Sequence, residues 1–164
     1  AAIDSRAQPS CLLLTRQGMP MQARSGDQVE AISRGGYVLL EPEGEADAIV
    51  IATGSEVAPA CAAATALNAE GARIRVVSMP CTDRFDSQDA AYRDSVLPPA
   101  IRRRIAVEAG ATDGWYKYVG LDGCVIGLDD FGASAPAADL FEHFELSPQH
   151  VQRRIAEYLA SGTT

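Results

Sequence analysis

The sequence predicts an α/β fold, a three-layer sandwich in which a mixed, mostly parallel sheet of about five strands has helices on both faces. The main observation is the stretch from Asp47 to Pro80. In it, an apolar, β-branched run (48–52) is followed by a Gly/Ser turn, an alanine-rich segment (57–70), a glycine and a second apolar run (74–79). This is the pattern of a β-α-β unit, whose two strands lie parallel and whose crossover helix covers one face of the sheet. Short apolar runs on both sides of this unit supply the remaining strands.

The part of the chain before this unit divides into an apolar run and a polar stretch. Residues 11–15 are predicted to be a buried strand, whereas residues 21–33 have no clear period and are interpreted as a linker or surface segment. A domain boundary falls most naturally there. We therefore divide the chain into residues 1–20 (the end of a preceding domain), residues 21–34 (a linker) and residues 35–164 (the main domain).

Three further strands are expected in the main domain. Residues 35–41 are predicted to pair antiparallel with 48–52 as a hairpin, because only a short connection separates the two runs. Residues 81–98 are polar and are predicted to be helical or looped. The last two strands are predicted at 104–110 and 124–128.

The helices carry recognisable start signals. Ser55 is predicted to cap the crossover helix, and the charge of Glu56 suits the positive end of its dipole. Ser147 as N-cap and Pro148 at the first helical position begin the last helix. This last helix is predicted to span residues 147–159. The other helical segments are predicted at residues 115–118 (a short helix or turn) and 136–144.

Composition and charge exclude several function classes. The chain has 164 residues, with 14 basic and 22 acidic side chains and a formal net charge of -8. This balance disfavours nucleic acid or an anionic membrane as the main partner. No apolar run approaches the roughly 20 residues that a membrane span requires. Residues 1–10 contain no apolar signal core and no initiating Met, so we expect the chain to be cut from a longer protein.

The four cysteines (Cys11, Cys61, Cys81 and Cys124) lie far apart, and none belongs to a C-x-x-C pair. With only two histidines in the chain, a zinc site is not expected. We interpret the cysteines as reduced core thiols of a cytoplasmic protein.

Two turns have the position of a binding or catalytic site. Thr53–Glu56 lies between a strand and a helix, where open α/β sheets bind anions. Its glycine spacing is not G-x-G-x-x-G and no P-loop lysine follows, so a plain capped turn is favoured. Ser134, within Phe131–Pro136, superficially resembles a nucleophile elbow, but the second glycine is missing. Pro136 favours a cap before a helix instead.

Several polar side chains have both a functional and a structural interpretation. His143 and His150 have no Ser, Cys or carboxylate companion in sequence, so a surface or structural role is favoured. Glu108 follows a buried strand and would serve as a general acid or base if its pKa were raised, but no second catalytic group can be placed beside it. The run Arg102–Arg104 and the aromatics Trp115–Tyr118 suit nucleic-acid stacking, yet the net acidity favours a solvated charge run and core packing.

Arg16 is the strongest single candidate for binding. It directly follows the apolar run 11–15, and a guanidinium forks onto a phosphate or a carboxylate. The pattern alone leaves that role and a structural one equally open.

A set of motifs resembles those of transketolase. They are Leu14–Gln17, Arg34–Leu39, Ile51–Val57, Arg75–Pro80, Phe85–Asp86 with Gln88, Tyr92–Pro98, Val107–Gly110, Trp115–Gly120 and Phe131–Pro136. The motifs stand in the family's order and cover nearly the whole chain, from residue 1 to residue 159. The part resembled is the C-terminal domain, with residues 1–20 similar to the last helix and strand of the preceding pyrimidine-binding domain.

The resemblance implies an enzyme that transfers a two-carbon ketol unit between sugar phosphates of the pentose phosphate pathway. It implies thiamine diphosphate and a divalent cation (Mg²⁺ or Ca²⁺) as cofactors of a homodimer. The family's catalytic, cofactor-binding and metal-binding residues match nothing in this chain, so none is expected here and no cofactor is expected to bind the fragment itself. Arg16 alone resembles a functional residue of the family, the arginine that holds the substrate phosphate.

Two hypotheses follow for the chain. In the first, it is a structural, dimer-supporting domain of a transketolase and is inactive alone. In the second, it is a stand-alone regulatory module that binds an anion or a metabolite at the Gly54–Ser55 helix end.

Overall fold

A five-stranded sheet forms the centre of the structure, a computed structural model that describes residue 3, residues 6–7 and residues 9–162. The spatial order of the strands is β1-β3-β2-β4-β5. Strands β2 to β5 are mutually parallel where they pair, and β1 is antiparallel to β3. This confirms the predicted mixed, mostly parallel sheet. The strands are β1 (Tyr37–Leu40), β2 (Ala48–Ala52), β3 (Ile74–Ser78), β4 (Arg104–Val107) and β5 (Cys124–Ile126).

Helices cover both faces of this sheet, because successive side chains of a strand point to opposite faces and both sets are apolar. Ala48, Val50 and Ala52 of β2 belong to one buried cluster, and Ile49 and Ile51 to the other. Two long helices, α2 and α7, lie on the first face, and shorter helices lie on the second. The helices are α1 (Gly26–Ala31), α2 (Val57–Ala69), α3 (Thr82–Asp86), α4 (Ala90–Val96), α5 (Tyr116–Val119), α6 (Ala137–His143) and α7 (Pro148–Ala160).

The β-α-β unit forms as the sequence predicts, with β2 and β3 parallel and α2 between them. The small residues of α2 that face the sheet are buried, so the helix lies close to the strands. The Asn68 side chain then fixes the start of β3. Its amide donates to the Ile74 carbonyl at 3.0 Å and its oxygen accepts from the Ile74 N–H at 2.8 Å.

The predicted capping of α2 by Ser55 is wrong. Residues 54–56 form a 3₁₀ turn ahead of the helix, and the Ser55 hydroxyl donates to the Glu56 carboxylate rather than accepting from the backbone. Gly54 allows this turn with φ +54°.

The predicted hairpin between β1 and β2 is also wrong. Strand β2 has β3 on one side and β4 on the other, so neither of its edges is free to accept β1. The outer edge of β3 is open, and β1 pairs there, with Tyr37 opposite Ser78.

Part of the stretch interpreted as a linker is a helix that protects the edge of the sheet. Ser25 and Gln28 form a capping box at the start of α1. The Gln28 amide also donates to the carbonyls of Val38 (3.0 Å) and Leu39 (2.9 Å) on edge strand β1. The Ser-x-x-Gln spacing is a sequence signal for this helix.

The buried strand predicted over residues 11–15 does not form. Leu12, Leu13 and Leu14 are 74%, 87% and 84% exposed, and the segment has no regular secondary structure. A strand needs a neighbour with a free edge, and no strand among the described residues pairs with this run. Within the same described part of the chain, no helix is long and apolar enough to cross a membrane.

Candidate functional site

The carboxyl ends of the parallel strands β2, β3 and β4 meet at one edge of the sheet, which we call the carboxyl edge. A cavity of about 580 Å³ opens there, and its walls include Thr53, Cys81, Glu108 and Trp115. Open α/β sheets place their ligand sites at this edge. The chemistry of its side chains is therefore the first test of any binding or catalytic role.

Glu56 is the most buried charged side chain of this edge, at 3% exposure. Its carboxylate accepts from the Ser55 hydroxyl at 2.6 Å and is also hydrogen bonded by backbone N–H groups of Glu56 and Ala109. Burial nevertheless raises the pKa of Glu56 above its ordinary value. When it is ionised, the Glu56 carboxylate places a negative charge at the amino end of α2, where the helix dipole is positive.

This arrangement argues against an anion site at the Gly54–Ser55 helix end. A ligand anion would have to approach a position that a buried carboxylate already occupies, and the two negative charges would repel each other. The turn therefore has a structural role, as the sequence favoured. Its hydrogen-bond acceptor is the Glu56 carboxylate and not the Ser55 hydroxyl.

Glu108 follows β4 and lies half-buried on the same edge. Burial, and secondly the negative charge of Glu56, raise the pKa of Glu108 to about 7. A carboxyl with this pKa exchanges a proton near neutral pH, which is the property required of a general acid or base. The position of Glu108 after a strand was predictable from the sequence. Its proximity to Glu56 was not, because this proximity depends on the pairing of β2 with β4.

The far wall of the cavity contains an ion pair that links α3 to α5. The Asp86 carboxylate accepts from the Lys117 ammonium at 2.5 Å and from the Tyr118 hydroxyl at 3.0 Å. Burial, followed by the hydrogen bond to Asp86, raises the pKa of Tyr118. Trp115 and Tyr118 are buried, with ring centroids 5.9 Å apart, so they pack in the core instead of offering stacking faces.

The remaining candidates are dispersed over the molecule. His150 lies on α7, with Nδ1 2.8 Å from the Ser147 hydroxyl, whereas the His143 ring packs on Phe144 at the end of α6. Ser134 lies in an exposed loop and does not cap α6, whose N-cap residue is Pro136, so the predicted capping by Ser134 is wrong.

The three consecutive arginines do not form a basic patch. Arg102 pairs with Asp122 on the surface. Arg104 turns inward, and its guanidinium donates to the carbonyls of Leu97, Pro98, Ile101 and Tyr118. The run therefore holds loops together.

Arg16 is exposed and lies in a bend two positions after Leu14, the last of the exposed leucines. The structure does not bring it beside any other candidate residue. Among the described residues, no group of three or more His, Cys, Asp or Glu side chains is placed to hold a metal ion. All four cysteines are free thiols, and the interpretation of Cys11 as a core residue is wrong, since it is exposed.

Comparisons with known proteins give a consistent result. A family model described as the transketolase-like TK C-terminal domain matches residues 35–147. Transketolase 1 of Vibrio vulnificus (strain YJ016) is 53% identical over 159 residues, which are 97% of this chain and 24% of that protein. The chain thus spans about a quarter of the length of the curated relatives it matches.

Solved structures agree with these sequence matches. Transketolase from Leishmania mexicana has a TM-score of 0.79 and 36% identity, covering 91% of this chain and 21% of its own. A transketolase of Pichia stipitis in complex with sedoheptulose-7-phosphate has a TM-score of 0.72 and 40% identity, covering 80% of this chain and 19% of its own.

Proposed function

Because the chain belongs to the transketolase family, through its transketolase-like C-terminal domain, we propose that it serves an enzyme that transfers two-carbon ketol units between sugar phosphates. The observation that supports this most strongly is the 53% identity to a transketolase over 97% of the chain. The ketose and aldose phosphates would be those of the pentose phosphate pathway, and the enzyme a cytoplasmic homodimer.

Within that enzyme, we assign the chain a structural and dimer-supporting role. Its carboxyl edge holds two neighbouring carboxyl groups, Glu56 and Glu108, and one internal ion pair, and the Glu56 carboxylate is already occupied by hydrogen bonds from the chain itself. Thiamine diphosphate, which stabilises the carbanion of the transferred unit when bound, and its divalent cation would be held by parts of the enzyme outside this chain. The described residues do not fit such a metal site, since they bring together no sufficient ligand cluster.

The domain division follows the same proposal. Residues 1–20 would belong to the pyrimidine-binding domain, residues 21–34 would link it to this one, and residues 35–164 would be the C-terminal domain. The exposure of Leu12, Leu13 and Leu14 supports this, because such a run is suited to pairing in a sheet that lies outside the described residues.

Arg16 would bind the phosphate of the sugar substrate in the whole enzyme. Its exposure leaves the guanidinium free to fork onto a dianionic phosphate, and its position next to the segment of the preceding domain supports a place near that domain's site. A guanidinium binds phosphate through its charge and through two parallel N–H donors, whereas lysine supplies only the charge, so lysine would replace Arg16 only in part.

The test is a kinetic comparison in the full-length enzyme. Arg16→Ala is expected to raise KM for phosphorylated sugars by about 10-fold to 100-fold, while KM for unphosphorylated sugars stays nearly unchanged. Arg153→Ala, on the exposed face of α7, is the matched control and is expected to change neither. An equal effect of Arg16→Ala on both substrate classes would contradict the phosphate role.

The isolated chain is expected to show no ketol transfer when thiamine diphosphate, Mg²⁺ and a ketose–aldose phosphate pair are supplied. Turnover by the purified chain would overturn the structural role. A rise in melting temperature with millimolar inorganic phosphate would instead favour the anion-binding module, which the position of Glu56 disfavours.

A further inference from the structure

Residues 22–34, which we call the strap, lie within the stretch that the sequence suggested to be a linker, yet they are fastened to the domain. At the start of the strap, the Arg24 guanidinium donates through Nε to the Tyr37 hydroxyl at 2.7 Å and through Nη1 to the Gln22 carbonyl at 2.7 Å. Tyr37 begins β1 and is only 2% exposed, so this acceptor belongs to the core of the domain. The first turn of chain in the strap is therefore tied to the edge strand.

The middle and the end of the strap are also held. The Gln28 amide donates to two carbonyls of β1, and the Ser33 carbonyl accepts from the Arg84 guanidinium of α3 at 3.4 Å. Directly after the strap, Gly35 has φ +90°, and a Cβ at this position would lie 2.3 Å from the Cys81 carbonyl oxygen. The turn from the strap into β1 therefore packs against the start of α3, and another residue would not fit there.

The chain ahead of the strap is held much less. Among the described residues, the hydrogen bonds of residues 9–21 are made within residues 9–22. Contact with the domain begins at Met19, which lines a cavity of about 340 Å³ together with Tyr37 and Val57. The transition from a loose to a fastened chain thus lies between Arg16 and Gln22.

This transition limits how far the domain can lie from Arg16. An extended chain spans at most about 3.3–3.6 Å per residue, so Gln22 lies within roughly 20 Å of Arg16. If the strap were a free linker, the first fastened residue would be Tyr37, and the same reach would be roughly 70 Å. Fastening the strap therefore shortens the reach more than threefold.

We propose that the contact between Arg24 and Tyr37, which we call the clasp, keeps the strap on the domain and confines the flexible joint with the preceding domain to residues 17–21. Residues 22–34 then belong to the C-terminal domain instead of linking it. The place of the joint beside a substrate-binding residue rests on the proposed function, in which residues 1–20 are part of the preceding domain and Arg16 binds phosphate. The clasp itself does not depend on that role, and its test uses the chain alone without substrate.

Limited proteolysis of the folded chain with trypsin tests the proposal, because Arg16, Arg24 and Arg34 give cleavage sites before, within and at the end of the strap. Trypsin requires local unfolding of its site, so we expect fast cleavage after the exposed Arg16 and cleavage after Arg24 slower by about 10-fold or more. Intact mass over time should show a stable product that begins at Gln17. Equal rates after Arg16 and Arg24, or a first stable product that begins at Ser25 or Gly35, would overturn the proposal.

A variant isolates the clasp. Tyr37→Phe keeps the buried ring and removes the acceptor of the Arg24 guanidinium, so cleavage after Arg24 should accelerate by about 5-fold to 10-fold while cleavage after Arg16 stays unchanged. Tyr116→Phe is the matched control at a side chain that is 52% exposed, and it should change neither rate.

Hydrogen exchange measured by mass spectrometry separates release of the strap from general destabilisation. In Tyr37→Phe, faster exchange should be confined to the start of the strap, and β2 should stay as protected as in the natural chain. Unchanged cleavage after Arg24 in this variant would show that the clasp does not hold the strap. An equal rise of exchange in β2 would show that Tyr37 supports the whole fold rather than the strap, and either result would contradict the proposal.

Discussion

The side chains of Glu56 and Glu108 determine the electrostatics of the carboxyl edge. Glu56 is almost fully buried, yet a hydroxyl and backbone N–H groups stabilise its charge. At Glu108, burial and the neighbouring charge of Glu56 both raise the pKa, and no hydrogen bond is among the causes that would lower it. Burial raises the pKa of both glutamates, and hydrogen-bond donors oppose this rise at Glu56, whereas the charge of Glu56 adds to it at Glu108.

The raised pKa of Glu108 predicts a pH-dependent stability. Since the folded chain holds this proton more tightly than the unfolded chain, the free energy of unfolding falls as pH rises from the ordinary pKa of glutamate to about 7. Glu108→Gln removes the ionisation and is expected to raise the free energy of unfolding by about 1–2 kcal/mol at pH 8, a figure reduced for partial exposure, and by much less at pH 5.

Urea unfolding at the two pH values and constant salt measures this effect. The control is Glu43→Gln at an exposed position, which is expected to change the free energy of unfolding only slightly, and by the same amount at pH 5 and at pH 8. A gain from Glu108→Gln that is the same at pH 5 and pH 8 would show that ionisation is not its cause.

At the scale of elements, Arg104 connects segments that the sequence leaves unrelated. It begins β4, and its guanidinium donates to carbonyls in the loop before that strand and at the end of α5. Desolvation lowers the pKa of Arg104, which means that burying the charge costs free energy and that the four carbonyls must offset this cost. The loop between α4 and β4 is held by this side chain.

Replacing Arg104 is therefore expected to weaken the fold. Arg104→Met keeps the aliphatic stem and removes the donors, so it should lower the free energy of unfolding by about 2–4 kcal/mol because carbonyls lose their partners. Urea unfolding is again the measurement. The control Arg102→Met removes an exposed ion pair with Asp122 and should cost no more than about 0.5 kcal/mol. Equal losses for the two variants would show that the carbonyl contacts do not hold the loop.

At the scale of the whole molecule, a packed three-layer domain is joined to a segment that makes few contacts with it. Both faces of the sheet are covered, and the apolar side chains of the three central strands, β2, β3 and β4, are buried. Leu12, Leu13 and Leu14, in contrast, are exposed next to one another. Consecutive exposed leucines favour association with another surface, which in our proposal is the preceding domain of the enzyme.

Removal of residues 1–20 is expected to leave the domain intact. Among the described residues, the hydrogen bond that joins this segment to the rest is a local one, from the Gln22 amide to the Pro20 carbonyl, so the free energy of unfolding should change by less than about 0.5 kcal/mol. Concentration-dependent association, measured by sedimentation velocity, should decrease. Serine at positions 12, 13 and 14 of the full chain should have the same effect on association. A loss of cooperative unfolding on truncation would instead make the segment part of the folding unit.

Local sequence signals accounted for most of the fold. Short continuous apolar runs predicted the five strands of the sheet, and the alanine-rich segment with its flanking glycines predicted α2 and the parallel pairing of β2 with β3. The Ser147–Pro148 start correctly located α7. The family was also recognisable from short motifs, because their order along the chain is a property of sequence.

Only the tertiary structure decided what depends on strand order and on neighbours. Strand β1 pairs with β3 because both edges of β2 are taken, and the run 11–15 stays exposed because no described strand pairs with it. Glu56 and Glu108 interact because β2 and β4 lie side by side, which their separation in sequence does not reveal. The spacing of apolar residues in the sequence indicates which side chains are buried locally. Which strands pair, and how far a pKa shifts, depend on distances in space that exist only once the sheet has assembled.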